Sequence, residues 1–456
     1  RKSLNSFLPE GLDHKLAERL VDYQLETLKT NRELHDKIEF EIAITCRTFN
    51  MYNKFREMRE FGFSAEDCAQ INEAIGGLTR NALAAYPKDL LLLEKQTHNL
   101  LGRNTPGLPV EPLPRAALLL EQCAVDGIKP FAILARHGFI GASLLRSLAS
   151  HGAISDDDVD IFFQSIHTVT AEIIYDLYDL SLGKIDQGSV LEKYGHLRPG
   201  TYDITSLRYD SRPDLYFGDS PAAPTKPRKF VLSASSQGVI SRLLEKEKYQ
   251  IEPEALFGYI SMASETREMA KFTFSRNLSD ALEDIAAWGD QNDLSREALS
   301  YLTIDEILAG HPRSELERRI EFARQAHSVT LAVHLPHLII DPVDIDVSRY
   351  PLARPNFITR AKVTGPTCIV HANTAPQVDG SIVFIESADP GFDWLFSHRI
   401  TGLVTKFGGV NSHMAIRCAE FGIPAAIGAG ERLYERYANS RVVELNCGTR
   451  TIRNLR

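Results

Sequence analysis

His413 is the residue whose surroundings point most directly to group transfer. It lies in ITGLVTKFGGVNSHMAIRCAEFGIPAAIG, from Ile400 to Gly428. Ile400 to Thr405 has the apolar, β-branched composition of a buried strand, and it ends at the turn pair Gly408 and Gly409. Asn411 or Ser412 then caps a helix whose apolar spacing through Ala415, Ile416, Ala419 and Phe421 runs until Gly422 and Pro424. The imidazole therefore falls in a first helical turn, where free N–H groups and the positive end of the dipole favour an anion. A ring nitrogen there can attack phosphorus, with Gly408, Gly409 and Ser412 leaving room for the phosphate. A capped helix with a half-buried histidine is the plainer alternative, and a Gly-Gly-x-x-Ser-His run alone does not decide between them.

The longer pattern is more specific. Asp389-Pro390-Gly391-Phe392-Asp393-Trp394-Leu395-Phe396, Gly402-Leu403-Val404-Thr405, Gly408-Gly409, Ser412-His413, Ala415-Ile416, Glu420 and Gly422-Ile423-Pro424-Ala425 together resemble the swivelling phosphohistidine domain of the phosphoenolpyruvate-utilising family. That family includes phosphoenolpyruvate synthase, pyruvate phosphate dikinase and rifampin phosphotransferase. The resemblance covers about the last hundred residues, an ordinary domain size, and implies that His413 is a phosphoryl carrier. One departure stands out: the family reads Val-Ala-Arg-Glu where this chain has Arg417-Cys418-Ala419-Glu420. Arg417 either offers its guanidinium to the phosphate or is solvated.

Composition bounds the rest. With 456 residues the chain has room for about three domains. A net charge of −9 gives no basic field for nucleic acid or an anionic membrane surface. Six scattered cysteines without a Cys-x-x-Cys pair fit a reducing, cytoplasmic setting, and no metal-ligand spacing is present. The first residue is Arg1, not methionine, which suggests a piece of something longer.

A carrier needs an acceptor site. Tyr194 to Tyr209, YGHLRPGTYDITSLRY, is irregular and gathers His196, Arg198, Asp203 and Arg208; loops of that kind often bind ligands. It resembles, loosely, the Tyr-Gly-x-Arg-x-x-Gly-x-Asp stretch of the acceptor region of rifampin phosphotransferase. That likeness implies Arg198 as an anion clamp and His196 as acid or base, with Asp203 fixing its tautomer. The alternative is an arginine and an aspartate pairing to pin the loop. Arg136 and His137, on the apolar helical stretch Pro130 to Leu148, are a second candidate pair.

These residues sit in an α+β multidomain chain. Helical periodicity from residue 10, with a proline-rich break at 102–115, continues after an acidic helix start at Asp156-Asp157-Asp158 and closes near His327. We expect a mostly α-helical acceptor domain over 1–340, a hinge linker over 341–355, and a compact α/β domain over 356–456. Strands are expected at Thr359–Val363, Thr367–His371, Ser381–Glu386, Gly402–Thr405, Ala425–Ile427 and Arg441–Leu445, with helices after Asp393 and after Ser412. The segment 210–229 reads as a surface excursion or a lid.

Family members load the histidine from ATP and Mg through an ATP-grasp domain, and this chain shows no phosphate loop of the Walker kind. The loading domain is therefore expected N-terminal to this chain, in the same protein. Only 43 residues follow His413, too few for the pyruvate-binding barrel of the synthases, which needs roughly 200. The acceptor is accordingly a small molecule bound upstream. Gly195 to Asp203, Pro355 to Thr359 and Met414 to Cys418 most resemble the glutamine kinases of capsular phosphoramidate synthesis, which implies the side-chain amide of L-glutamine as acceptor. Antibiotic kinases and synthases of the family are the alternatives, and a non-catalytic phosphocarrier or regulatory module is the reading from another class.

Overall fold

In the computed structural model, helices start where side chains can cap them. The described residues are 2–455 apart from 36, 102–108, 218–222, 224–227, 334, 337, 347–353, 375 and 411. The first long helix, α1 (His14–Thr30), is capped by Asp13, and α2 (Ala65–Asp89) opens with a reciprocal capping box between Ser64 and Asp67. Between them, Ile38–Ile42 forms a single π-helical turn instead of continuing the α-helical period, and Ala43 leaves it in extended backbone. The acidic Asp156-Asp157-Asp158 cluster is a helix start, closed by a box between Ser155 and Asp158.

Four further helices build the site: α3 (Lys129–Ser150), α4 (Val169–Ser181), α5 (Gln187–Tyr194) and α6 (Pro253–Gln291). The last runs for 39 residues, about 58 Å at the helical rise. Its Leu256, Phe257 and Ile260 bury themselves against Ile140, Leu144 and Leu148 of α3. This packing makes α6 a rigid rail through the helical region.

All the described strands lie between Asn356 and Leu455. They are β1 (Asn356–Ile358), β2 (Lys362–Ile369), β3 (Ile382–Ser387), β4 (Gly402–Phe407), β5 (Ala425–Ile427), β6 (Val442–Asn446) and β7 (Thr451–Leu455). They form one mixed sheet in the order β1-β5-β4-β3-β2-β6-β7. β2, β3, β4 and β5 pair in parallel, so crossovers must cover their faces. The crossover from β4 to β5 holds α7 (His413–Glu420), and the connection from β5 to the antiparallel β6 holds α8 (Gly430–Ala438). Sequence periodicity misplaces two features here. The strand expected across Thr359 is broken because Thr359 adopts φ 67°, and Pro390–Ser397 coils as a 3₁₀ turn.

The expected hinge, 341–355, contains a helical turn at Val343–Asp346 held by the ion pair Arg32–Asp344, at 2.8 Å; its residues 347–353 lie outside the described residues. The expected lid, 210–229, begins with a helical turn, Pro213–Tyr216, whose Tyr216 is buried. Residues 218–222 and 224–227 of it, like 102–108 of the proline-rich break, lie outside the described residues.

One apolar cluster joins the helical and sheet regions. Val169, Ile173, Leu177, Tyr194, Leu197 and Tyr209 pack with Phe392, Trp394, Leu395, Met414 and Ala415. At its edge the Tyr209 hydroxyl donates to the Gly391 carbonyl, at 2.8 Å. A Cβ on Gly391 would collide with the backbone carbonyl of Arg198, so this contact requires glycine. Gly391→Ala is expected to cost about 1–3 kcal/mol, the range for overpacking a close contact. Urea unfolding of both proteins measures it, and an unchanged midpoint would mean that the two backbones need not approach so closely.

Candidate functional site around His413

Ser412 caps α7 by accepting from the Ala415 N–H, which places His413 at the first helical position. Gly408, at φ 133°, turns the chain there, and a Cβ would press on Ala388 and Ile427. Gly409 has open space around it. The imidazole points away from solvent and is only 8% exposed. Its Nδ1 lies 2.6 Å from Glu268 on α6, and its Nε2 lies 2.6 Å from Asp393 in the 3₁₀ turn. Thr170 on α4 donates to the other Asp393 oxygen, at 2.7 Å.

Two carboxylates on two ring nitrogens require a proton on each, so the ring is an imidazolium. Burial pulls the His413 pKa down, but Asp393 and Glu268 outweigh it and hold it above the ordinary value. Burial opposes ionisation of Glu268, yet His413 and Arg417 outweigh it and hold that carboxyl well below its usual range. Neither ring nitrogen has a lone pair to attack phosphorus in this arrangement.

His413, Asp393 and Glu268 close one side of a cavity of about 30 Å³. By the volume one water occupies, it admits one or two waters and no amino acid. Its other walls include Thr170, His196, Thr201, Lys271, Phe272, Ser275 and Ser279. Glu268, Lys271, Phe272, Ser275 and Ser279 recur at three and four along α6, so one helix face supplies five of the walls. Lys271 forms no ion pair among the described residues.

The sequence candidates distribute unevenly. His196 is buried in the cavity wall, edge-on to Phe272. Arg198 also reaches the wall, but its guanidinium donates to Glu283, Ser279 and the carbonyls of Asp203 and Ser206. With its donors taken it pins the loop and does not present a fork to an anion. Asp203 is exposed and accepts from the Thr205 N–H and hydroxyl, so the expected support of the His196 tautomer gives way to a local turn. Arg208 pairs with Asp210 and Asp280, and it lines a different cleft.

Arg136 is exposed, and His137 is buried between Asp89 and the Tyr259 hydroxyl, at 3.1 and 3.2 Å. Neither lines the His413 cavity. Arg417 is fully buried against Glu420, Thr168 and Glu268. It lies outside the cavity wall, contrary to the phosphate-facing or solvated expectations. Glu268, Thr170 and Lys271 escaped the sequence reading, and Asp393 was part of the quoted motif without a role assigned to it. The available signal was the polar face Glu268, Ser275 and Ser279 in an otherwise apolar helical period.

The sequence has counterparts among known proteins. The family model described as PEP-utilising enzyme, mobile domain, matches residues 377–450. Residues 377–450 are thus similar to the mobile domain of PEP-utilising enzymes. The chain is also similar to the rifampicin phosphotransferase of Bacillus cereus, 25% identical over 273 residues, 52% of this chain and 30% of that protein. A rifampicin phosphotransferase of Bacillus subtilis is 25% identical over 287 residues, 54% of this chain and 33% of that protein. The chain thus spans about a third of the curated relatives it matches. Among the described residues of the mobile domain and its helical partner, no helix is long and apolar enough to cross a membrane, and no group of three or more His, Cys, Asp and Glu is arranged to hold a metal.

The charge pattern fixes a pH dependence. A raised His413 contributes docking stability that is complete below the ordinary histidine pKa and lost as pH rises through the folded value. A lowered Glu268 contributes stability present above the ordinary carboxylate range and lost as pH falls through its folded value. Docking of the mobile domain is therefore expected to be tightest at roughly pH 5–6. Melting temperatures measured from pH 4 to 10 should show an alkaline loss in wild type that His413→Asn flattens. Equal alkaline slopes in the two proteins would exclude the imidazolium as the link.

Proposed function

We propose that this chain is the acceptor-binding and carrier portion of an ATP-dependent phosphotransferase, with His413 as carrier and the side-chain amide of L-glutamine as acceptor. One observation carries the reading: a histidine at a helix N-terminus of the mobile domain closes a cavity built mostly on another part of the chain. Loading from ATP and Mg falls to an ATP-grasp domain of the same protein. A small cavity walled by Thr170, Thr201, Ser275, Ser279 and His196 favours a small hydrogen-bonding acceptor. The names of the relatives favour a second reading, an antibiotic acceptor.

In the transfer step we assign the phosphoryl group to Nε2, the ring nitrogen farther from the backbone, while Glu268 holds the proton on Nδ1. The N–P bond breaks, its electron pair remains on Nε2, and phosphorus bonds to the acceptor nitrogen. That nitrogen gives up a proton through Asp393 or His196, and the proton ends on Nε2. The products are the phosphoramidate and an imidazolium, the ring state that the two carboxylates favour. Lys271 is the cation that meets the phosphoryl oxygens, a part that the pinned Arg198 cannot play.

The same imidazole must be loaded and unloaded at different places, so the mobile domain leaves its berth in each cycle. An acceptor also cannot enter the cavity until it does. Intact mass spectrometry of the full-length protein with Mg-ATP should show one acid-labile phosphate on wild type and none on His413→Ala. With L-glutamine and rifampicin offered separately, phosphate should pass to L-glutamine. Lys271→Met should slow transfer relative to loading by about a hundredfold, the scale of losing one transition-state donor. Loading of His413→Ala would overturn the carrier, and transfer to rifampicin alone would favour the second reading.

A further inference from the structure

Arg417 is one helical turn beyond His413 and has no exposed surface. Its Nη2 donates to Glu268 Oε2 at 3.2 Å, the same oxygen that receives His413 Nδ1 at 2.6 Å. Its Nη1 donates to Glu420 and to the Thr168 hydroxyl, and Thr168 also donates to Glu420 at 2.9 Å. One guanidinium thus ties its own helix to the start of α4 and to the middle of α6. A planar fork can do this, while a single ammonium cannot serve both ends.

The groups facing Glu268 set the charge balance. From the mobile domain come His413, Arg417, Glu420 and Asp393; α6 itself adds Arg267, 3.7 Å away, and Lys271 across the cavity. Loading replaces a cationic ring with a phosphoryl group carrying about two negative charges. Arg417 is then the permanent cation of the mobile domain that still faces Glu268.

We propose that Arg417 is a positioning residue for phosphoryl transfer, acting through Glu268: it holds that carboxylate against Nδ1 of His413, so that the ring keeps its proton there and leaves phosphorus through Nε2. The assignment rests on the phosphotransferase reading for its consequence and on the shared oxygen for its geometry. Without Arg417 the carboxylate keeps the ring and the more distant Arg267, and the surrounding negative charge grows. The ring then binds its protons more tightly at rest. Glu268 becomes easier to protonate, so the acid limb of transfer moves to higher pH.

Two measurements test this. In the chain labelled with ¹⁵N-histidine, Arg417→Gln should move the His413 titration midpoint to higher pH, with Arg417→Lys between it and wild type. In a Glu268→Gln background the Arg417→Gln change should lose most of its effect, as expected for residues that act as a pair. In the full-length protein with Mg-ATP and L-glutamine, Arg417→Gln should lower the ratio of transfer to loading rates about tenfold, a loss on the scale of one charge-assisted hydrogen bond. Its acid limb should lie at higher pH than that of wild type. If Arg417→Gln does not fold, Arg417→Lys carries the titration, since its ammonium cannot hold Glu268 and Glu420 together. An unmoved midpoint, or an equal shift with and without Glu268, overturns the assignment. If wild-type His413 takes up no phosphate, the phosphotransferase reading fails, and the titration still decides whether Arg417 acts through Glu268.

Discussion

The grip of two carboxylates on one imidazole is the interaction on which the arrangement of this protein depends. Asp393 belongs to the same domain as His413, whereas Glu268 belongs to a helix of another region. Burying a charge is costly unless partners replace its water, and half of this set would leave charges stranded. The mobile domain can therefore settle against α6 in one orientation, with the ring between both acids. The surrounding apolar cluster supplies adhesion but little direction. The ionic contacts supply direction, and Arg417, Thr168 and Thr170 extend them.

The balance among these groups is uneven. Burial wins at Glu420, whose carboxyl stays above its ordinary value although Arg417 and Thr168 favour ionisation. Pairing wins at Glu268. The two acids differ in their neighbours: Glu268 meets His413, Arg417 and Arg267, while Glu420 meets one arginine with Asp393 nearby. As pH falls, Glu420 therefore takes up a proton before Glu268, the residue that touches the His413 ring from outside its domain.

What the sequence conveyed followed the range of the forces involved. Caps at Ser155 and Ser412 act within three residues, so those helix starts were legible. β3, β4 and β5 were legible as buried apolar runs, whereas β7, with Arg453 and Asn454 outward, carries no such signal. The strand expected through Thr359 failed on a single left-handed residue. His413 could be singled out from its own helix, but Glu268 lies 145 residues away in sequence, and residue types do not specify such pairings. Arg198 shows the same limit from the other side. Its type suggested an anion clamp, and only the fold reveals that Glu283 and Ser279 already occupy it.

The apolar seam has an optical consequence. The chain contains two tryptophans, Trp288 and Trp394. Trp394 is 1% exposed and stands edge-on to Tyr216, whose ring belongs to the helical region, with centroids 6.3 Å apart. Trp288 packs within a separate helical cluster that the mobile domain does not share. When the domain leaves its berth, the Tyr216 face of the Trp394 indole is uncovered while Trp288 keeps its surroundings. Indole emission therefore reddens with departure and returns with docking, so unlabelled protein carries its own fluorescence readout of whether this domain is docked.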